Sequence, residues 1–387
     1  WTGIPSRLRS VRKLQPSGSS ASTRLRQKIQ EMYEKKKMTI GVYAKLAGFS
    51  LVKIWSKLFF DPNSFMVVAE GAGKEREDAL RLIESMQNGE KKVVIDAATI
   101  MTLHAIDALE DASEFFGKLE ISRSTKKVFL DALETLQQNP EGDYFGLGGF
   151  TKDGEEFVSR EVGKVKSILS WIDKNCVVVP LPEENTLKLC KKREDLYETM
   201  GEENIDAMLL ASRDGYLLFS DDLLLRVIAK NEYKIQGFWT QAFLMYLLYK
   251  QNYPRENYDT AIVSLAIARY NYTAVDEGIL LAAARKSEWL LAEPLSTILN
   301  IVKSSDEKSM ISLAAKFLYQ MHSQVEPSNL RKDTLVISVL NVLSSGKDRN
   351  DFAKKLIMVV RELLKSRPLI ESAMIALILQ WRESKED

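Results

Sequence analysis

The sequence predicts an α/β domain with a parallel sheet and helices on both faces, followed by an all-helical C-terminal domain. The first observation is a series of short apolar runs, such as residues 92–95 and 216–219, which are typical of inner strands in a parallel sheet. The second is that segments with helical periodicity alternate with these runs. The third is that the sequence after Trp239 shows helical periodicity alone.

Composition limits the class of protein. The chain has 387 residues and a net charge of +1, which suits two or three globular domains. Two cysteines and two histidines do not predict a disulfide framework or a zinc finger. No apolar run reaches the length of a membrane span and no signal peptide is visible, so we expect a cytoplasmic protein without a membrane partner. Because the chain begins with Trp1, we expect it to be a fragment of a longer polypeptide.

The N-terminal segment is basic. Residues 1–25 are rich in Ser, Pro, Gly and Arg, which predicts a flexible linker. Residues 1–37 contain ten Lys or Arg and two Asp or Glu, an excess of eight positive charges. Two interpretations stay open here. One is a solvated linker to a missing N-terminal part, which we favour, and the other is a basic arm that lies on nucleic-acid phosphates.

Residues 26–64 are predicted to form a helical segment that resembles a helix-turn-helix unit. In this pattern Ala44 lets two helices approach, Gly48 makes the turn and Ile54 fills the core between them. If the segment binds nucleic acid, Lys53 and Lys57 lie on the helix that would approach the groove. The alternative is a helical hairpin that serves only for packing.

The α/β domain is predicted over residues 65–240. Its predicted strands are residues 65–69, 92–96, 119–122, 176–180, 216–219 and 233–237. The glycines around Lys74 do not form a P-loop, because Val68 stands where the first glycine is needed and Glu75 follows the lysine. The glycine-rich residues 139–157 predict a flexible hairpin or excursion.

Acidic residues follow two of the predicted strands. Asp96 ends the run Val-Val-Ile, and Ser220-Asp221-Asp222 follow Leu-Leu-Phe, while Asp206 opens the helix before the later strand. Ligands of parallel sheets bind at the carboxyl ends of the strands, so these acids are candidates for a site. They also have a purely structural explanation, because Ser and Asp are favoured N-caps of helices.

This arrangement resembles the PIN domain family of metal-dependent nucleases over about residues 65–240. The motifs are Val-Val-Ile-Asp96, Glu203-Asn-Ile-Asp206-Ala and Leu-Leu-Phe-Ser220-Asp221-Asp222. The resemblance implies that Asp96, Asp206 and Asp222 are catalytic and hold the metal ion, and that Ser220 and Asp221 support them.

The resemblance also implies one more catalytic acid, on the helix after the strand at residues 119–122. We assign this role to Asp131 and keep Glu134 as its rival. Clustered carboxylates repel each other unless a cation neutralises them, and hard oxygen ligands select Mg²⁺ or Mn²⁺.

The function implied by the resemblance is an Mg²⁺- or Mn²⁺-dependent endoribonuclease that binds RNA and hydrolyses phosphodiester bonds. The alternative is a non-catalytic nucleic-acid-binding or scaffold protein with a degenerate PIN-like core. In either case we expect residues 241–387 to form an all-helical domain, which is the candidate binding site for a protein partner and has that role in the scaffold alternative.

Overall fold

The structure is a computed structural model, and it divides into two compact units. Unit one runs to Asn252 and also includes Ala268–Asn271, while unit two consists of Tyr253–Ile267 and Tyr272–Asp387. Unit one therefore extends beyond residue 240, where the sequence predicts the end of the α/β domain. The structure describes residues 19–61, 64–70, 73–87, 92–138, 144–146, 149–151, 155–181, 200–271, 273–325 and 327–384.

The N-terminal part of unit one is helical, as predicted. Its helices are α1 (Ser19–Glu34), α2 (Ile40–Ala47), α3 (Leu51–Phe60) and α4 (Gly73–Gln87). Thr39 caps α2, and Gly48 ends it in the left-handed conformation with φ 73°. The predicted glycine turn between two helices is therefore present. The predicted basic linker falls largely on residues 1–18, which lie outside the described residues.

Among the described residues, five strands form one parallel sheet. The strands of the chain are β1 (Lys92–Ile95), β2 (Leu119–Ile121), β3 (Tyr144–Gly146), β4 (Gly149–Thr151), β5 (Cys176–Val178), β6 (Tyr216–Phe219) and β7 (Gly237–Phe238). The sheet order is β5-β2-β1-β6-β7, and every pairing in it is parallel. From β1 the chain adds β2 and then β5 on one side of β1. It then crosses to the other side and adds β6 and β7, so the strand order reverses between β1 and β6.

Helices connect the strands and cover the sheet, which confirms the predicted α/β class. They are α5 (Ala97–Ala105), α6 (Leu109–Phe116), α7 (Arg123–Gln138), α8 (Glu155–Asn175), α9 (Glu202–Ala211), α10 (Leu223–Tyr233) and α11 (Thr240–Lys250). The predicted glycine-rich hairpin is the antiparallel pair β3–β4. The apolar pattern of residues 187–197 predicts one more helix, and these residues lie outside the described part of the chain.

Two predicted strands differ from the structure. Residues 65–69 make only an isolated bridge, between Met66 and Tyr270. The amide of Ala69 instead donates to the Asn271 side chain at 3.0 Å, and that side chain donates back to the Ala69 carbonyl at 2.8 Å. A side chain thus replaces the neighbouring strand. The last strand is Gly237–Phe238 rather than residues 233–237, because α10 continues through Tyr233.

Unit two is all-helical in its described residues, as the sequence predicts. Its helices are α12 (Arg255–Ile267), α13 (Glu277–Lys286), α14 (Leu295–Lys303), α15 (Glu307–Ser323), α16 (Asn329–Ser344), α17 (Arg349–Leu363) and α18 (Pro368–Glu383). Its core includes Trp381, which is fully buried and donates a 2.7 Å hydrogen bond to Asn341. Across the described chain, no helix combines the length and apolarity needed to cross a membrane.

Candidate active site

Asp96 and Ser220 directly follow two neighbouring strands, β1 and β6, at the carboxyl edge of the sheet. β1 and β6 pair so that Ile95 lies opposite Phe219. The amide of Asp96 donates to the Phe219 carbonyl at 3.2 Å, which extends the pairing by one residue. This is the point at which the strand order reverses, and open parallel sheets bind their ligands there.

The Asp96 carboxylate is buried and only half of it is hydrogen-bonded. Its Oδ1 accepts a 2.7 Å hydrogen bond from the amide of Thr99 and so caps α5. The side chain is 2% exposed, and Oδ2 has no hydrogen-bond partner of normal geometry among the described residues, although the Ser220 hydroxyl is close enough to stabilise the carboxylate. Burial raises the pKa of Asp96 to about 7, against the opposing influence of the nearby Ser220 hydroxyl and of Thr99. A buried oxygen without a donor is costly, and a cation at this position would offset the cost.

Asp206 faces a cluster of hydroxyl groups that follows β2. The Ser124 hydroxyl donates to Asp206 Oδ2 at 2.6 Å. Ser124 Oγ lies 2.7 Å from Ser122 Oγ, which in turn lies 2.9 Å from Thr125 Oγ1. All four side chains are buried. The carboxyl end of β2 therefore supplies hydroxyl groups to the site, a contribution that the sequence analysis did not assign.

Replacing Ser124 with alanine is expected to lower the free energy of unfolding by about 1–3 kcal/mol, because the buried Asp206 carboxylate loses a donor. Urea denaturation of the full chain measures the change. The control is Ser113→Ala, whose hydroxyl bonds only within its own helix, to Glu110; we expect a change within about 0.5 kcal/mol there. Equal losses in both variants would contradict the structural role of Ser124.

Glu203 is a further acid at this site. It lies three positions before Asp206 on α9, and residues at this spacing share a helix face. Desolvation of its carboxyl, together with the nearby carboxylates of Glu202, Asp206 and Asp96, raises the pKa of Glu203 to about 7. The Glu203 carboxyl group therefore interacts electrostatically with Asp96 and Asp206, two of the three predicted metal ligands. Glu203 stands in the motif Glu203-Asn-Ile-Asp206-Ala, and its helical spacing from Asp206 is visible in the sequence, but the family resemblance assigns it no role.

Asp222 caps two helices at once. Its Oδ1 accepts a 3.1 Å hydrogen bond from the amide of Leu225 in α10. Its Oδ2 accepts a 2.6 Å hydrogen bond from the amide of Ile40, the first residue of α2. Burial raises the pKa of Asp222 to about 6, and the Ile40 and Leu225 amides oppose this rise. Both carboxylate oxygens are thus bonded to backbone N–H groups, so Asp222 has the capping role that the sequence analysis kept as an explanation.

Asp221 and Ser220 hold the loop after β6, and the Ser220 hydroxyl also lies near the Asp96 carboxylate. The Asp221 carboxylate accepts hydrogen bonds from the amide and the hydroxyl of Thr240, at 2.9 and 2.7 Å. These bonds hold the first turn of α11. Burial raises the pKa of Asp221, and the Thr240 amide is the largest opposing influence. Ser220 Oγ accepts a 3.1 Å hydrogen bond from the amide of Asp222.

The structure does not bring the predicted helical acid to the site. Asp131 and its rival Glu134 are both exposed on α7, and Glu134 Oε1 accepts a 2.7 Å hydrogen bond from Gln138. Asp131 lies seven positions after Ser124, which is a rise of about 10 Å along the helix. The part of α7 that meets Asp206 therefore carries the Ser124 hydroxyl. The catalytic role of Asp131 stays a prediction.

The second helix of the helix-turn-helix-like segment is used for packing. α3 contacts α5 and α7, and the indole of Trp55 donates to Thr102 on α5 at 3.2 Å. Lys53 lies 4.5 Å from the centre of the Phe49 ring, and Lys57 hydrogen-bonds to side chains on α1 and α2. These contacts favour the packing alternative for the segment. Nucleic-acid binding by Lys53 and Lys57 stays a prediction.

The chemistry of the donors fits a divalent cation, though not with all the predicted ligands. Within the described residues, no three His, Cys, Asp or Glu side chains form a group that could hold a metal ion. Mg²⁺ in proteins is commonly held by one or two carboxylates together with water and substrate. Asp96 offers a buried oxygen without a donor, and Asp206 and Glu203 lie nearby. In the observed arrangement each Asp222 oxygen already accepts a hydrogen bond from a backbone amide, so Asp222 is less open to a cation than Asp96 is.

Comparison with protein families supports the PIN-like interpretation of this region. The family model described as "PIN domain associated with the TPR-GreAB-C-PIN system" matches residues 94–231. The match spans the sheet from β1 to β6 and includes Asp96, Asp206 and Asp222. No curated protein and no solved structure matches the chain significantly.

Proposed function

Because residues 94–231 form a PIN-like domain, we propose that the chain is a metal-dependent nuclease that hydrolyses phosphodiester bonds of RNA. The observation that carries this proposal is the position of Asp96. Its buried, unbonded carboxylate oxygen lies where the strand order of the sheet reverses.

The proposed ligands of the cation are carboxylates of unit one. Asp96 is the principal ligand, and Asp206 and Glu203 supply further negative charge. Bound Mg²⁺ or Mn²⁺ would lower the pKa of a water molecule and neutralise charge on the phosphate. The Ser124 hydroxyl fixes the orientation of the Asp206 carboxylate through its 2.6 Å hydrogen bond.

The first turns of α7, the helix that carries Ser124, are basic. Arg123 and Lys127 are exposed there, on the helix that also carries Ser124. Lys126 pairs with Asp173 at 2.6 Å, and Asp173 is itself exposed. We propose that these three basic residues hold the phosphates of a single RNA strand, since such contacts are made mainly by Lys and Arg.

A non-catalytic scaffold is the second candidate function. The capping roles of Asp221 and Asp222 favour it, because both residues of the predicted site have complete structural explanations. In this alternative, unit two binds a protein partner. Exposed apolar side chains of unit two, such as Met358 and Leu369, suit that role. We keep a cytoplasmic location as part of either proposal.

Cleavage of end-labelled single-stranded RNA by the full chain in Mn²⁺ tests the nuclease proposal. Cleavage should be abolished by EDTA and reduced at least about 100-fold by Asp96→Asn, because the buried oxygen that faces the cation is lost. The matched control is Asp131→Asn, the same substitution at an exposed acid, which should retain activity.

Three other outcomes are informative. Loss of activity in Asp131→Asn would restore the assignment made from the sequence. Equal activity in Asp96→Asn and the wild-type chain would exclude the proposed site. If neither the wild-type chain nor the α2 variants described below cleave RNA or bind Mn²⁺, the scaffold function is favoured.

A further inference from the structure

The N-terminal end of α2 lies on the proposed site. The amide of Ile40 donates to Asp222 Oδ2 at 2.6 Å, between residues that are 182 positions apart in sequence. The first five residues of α2 are all buried. Thr39, which caps the helix, is 1% exposed. A segment outside the PIN family match therefore covers one of the acids that the resemblance assigns to the metal.

The contact between α2 and α9 is too close for any side chain at Gly41. A Cβ atom at this position would lie 2.4 Å from Asn204 Nδ2, 2.6 Å from the Met200 carbonyl and 2.9 Å from Glu203 Oε1. Asn204 Nδ2 is itself held by a 2.9 Å hydrogen bond to the Met200 carbonyl. Glycine thus permits the backbone of α2 to approach the start of the helix that carries Glu203 and Asp206.

The electrostatics of this contact resemble those of a bound cation. The N-terminus of a helix carries a partial positive charge and unpaired N–H groups, and both favour a neighbouring carboxylate. Here the partial charge faces Asp222 directly and Glu203 at close range. Asp222 Oδ2 accepts the Ile40 amide hydrogen, and the buried first turn of α2 occupies the space beside it. A divalent cation at this oxygen would meet the partial positive charge of the helix N-terminus, so the two compete for Asp222.

We infer that α2 is a displaceable plug, whose N-terminus competes with a divalent cation for Asp222 and keeps the site closed while it is seated. The inference rests on the proposed function, since it describes how the same site is regulated. When α2 leaves, Asp222 Oδ2 is released beside the unbonded oxygen of Asp96. The complete set of acids implied by the strand-end motifs then becomes available to the cation.

A proline at position 40 removes the decisive hydrogen bond with little damage to the helix. Ile40 is the first helical residue, where proline is favoured because its fixed φ suits the helix and no intrahelical N–H bond is lost. Thr39 has ψ 164°, a conformation that residues before proline readily adopt. The matched control is Ile40→Ala, which loses apolar packing but keeps the amide. Gly41→Ala tests the same contact by steric means, with Gly163→Ala in α8, where the added methyl meets open space, as its control.

Two measurements on the full chain test the plug. Hydrogen exchange of the α2 amides in the wild-type chain should speed up when Mn²⁺ is added, because cation binding displaces the helix. Calorimetry should show that Ile40→Pro binds Mn²⁺ at least about tenfold more tightly than Ile40→Ala, and Gly41→Ala more tightly than Gly163→Ala. Unchanged exchange with Mn²⁺ bound, equal affinities within the pairs, or no Mn²⁺ binding in any variant would each overturn the inference.

Cleavage of RNA by the same variants separates this inference from the proposed function. If Mn²⁺ displaces α2 but no variant cleaves RNA, the plug stands and the nuclease proposal fails. If the wild-type chain cleaves RNA as fast as Ile40→Pro and their Mn²⁺ affinities agree, the nuclease proposal stands and the plug fails. If Ile40→Pro does not fold, the exchange experiment on the wild-type chain and the Gly41→Ala pair still decide.

Discussion

Asp222→Ala is expected to lower the free energy of unfolding by about 3–6 kcal/mol. The substitution removes the acceptor for two buried amides, those of Leu225 and Ile40, and a hydrogen bond to a charged group contributes about 1.5–3 kcal/mol. It thereby removes the N-cap of α10 and the acceptor for the first amide of α2, while Thr39 still caps α2. Chemical denaturation at pH 7 measures the loss.

The matched control for this prediction is Asp214→Ala. Asp214 is exposed in the turn before β6, and we expect a change within about 0.5 kcal/mol. Asp222→Asn should fall between the two, because the amide keeps one oxygen acceptor but presents N–H groups to the other donor. If Asp222→Ala is no less stable than Asp214→Ala, the double cap does not exist in solution.

Asp96→Asn is expected to gain stability relative to the wild-type chain as the pH rises from 5 to 8. The folded state raises the pKa of Asp96 from 3.8 to about 7, so the folded chain holds a proton that the unfolded chain has released. The stability linked to this proton is fully present below about pH 4 and is lost as the pH rises through about 7. Between pH 5 and 8 the loss amounts to about 2–3 kcal/mol for a single group with these pKa values.

The difference in unfolding free energy between the two chains, measured at several pH values without divalent ions, isolates this effect from the other carboxyl groups. Asparagine does not titrate, so the wild-type chain alone should lose stability over this range. Mn²⁺ should restore the stability of the wild-type chain at pH 8 and leave Asp96→Asn unchanged. A difference that stays constant from pH 5 to 8 would show that Asp96 is normally ionised in the folded protein.

The parallel sheet and the edge at which the acids lie could be predicted from local sequence. Val-Val-Ile-Asp96 and Leu-Leu-Phe-Ser220 each combine a buried strand with a polar residue at its carboxyl end, and parallel pairing brings such ends together. The short apolar runs and their alternation with segments of helical periodicity were sufficient to predict this sheet edge. The same reasoning predicted a strand at residues 65–69, where the structure has one isolated bridge, to Tyr270, and hydrogen bonds to the Asn271 side chain. Periodicity does not reveal which groups satisfy a backbone.

The composition of the site was less predictable than its position. Asp131 matched a motif by its distance along a helix, but the sequence does not specify which turn of that helix meets Asp206. That turn carries Ser124. The contact of Ile40 with Asp222 joins residues 182 positions apart and uses a backbone amide, so no side-chain pattern indicates it. Packing of distant segments decides which acids are free and which are caps.

The return of the chain to unit one at Ala268–Asn271 has a consequence for how this protein can be divided or recombined. Asn271 binds the backbone of residues 68 and 69, yet in sequence it follows the first helix of unit two. A chain that ended at Asn252 would lack Asn271 and would lose the hydrogen bonds of this side chain to the backbone of residues 68 and 69. Each unit is therefore built from two separate stretches of sequence. No single continuous segment contains the whole of one unit without including part of the other.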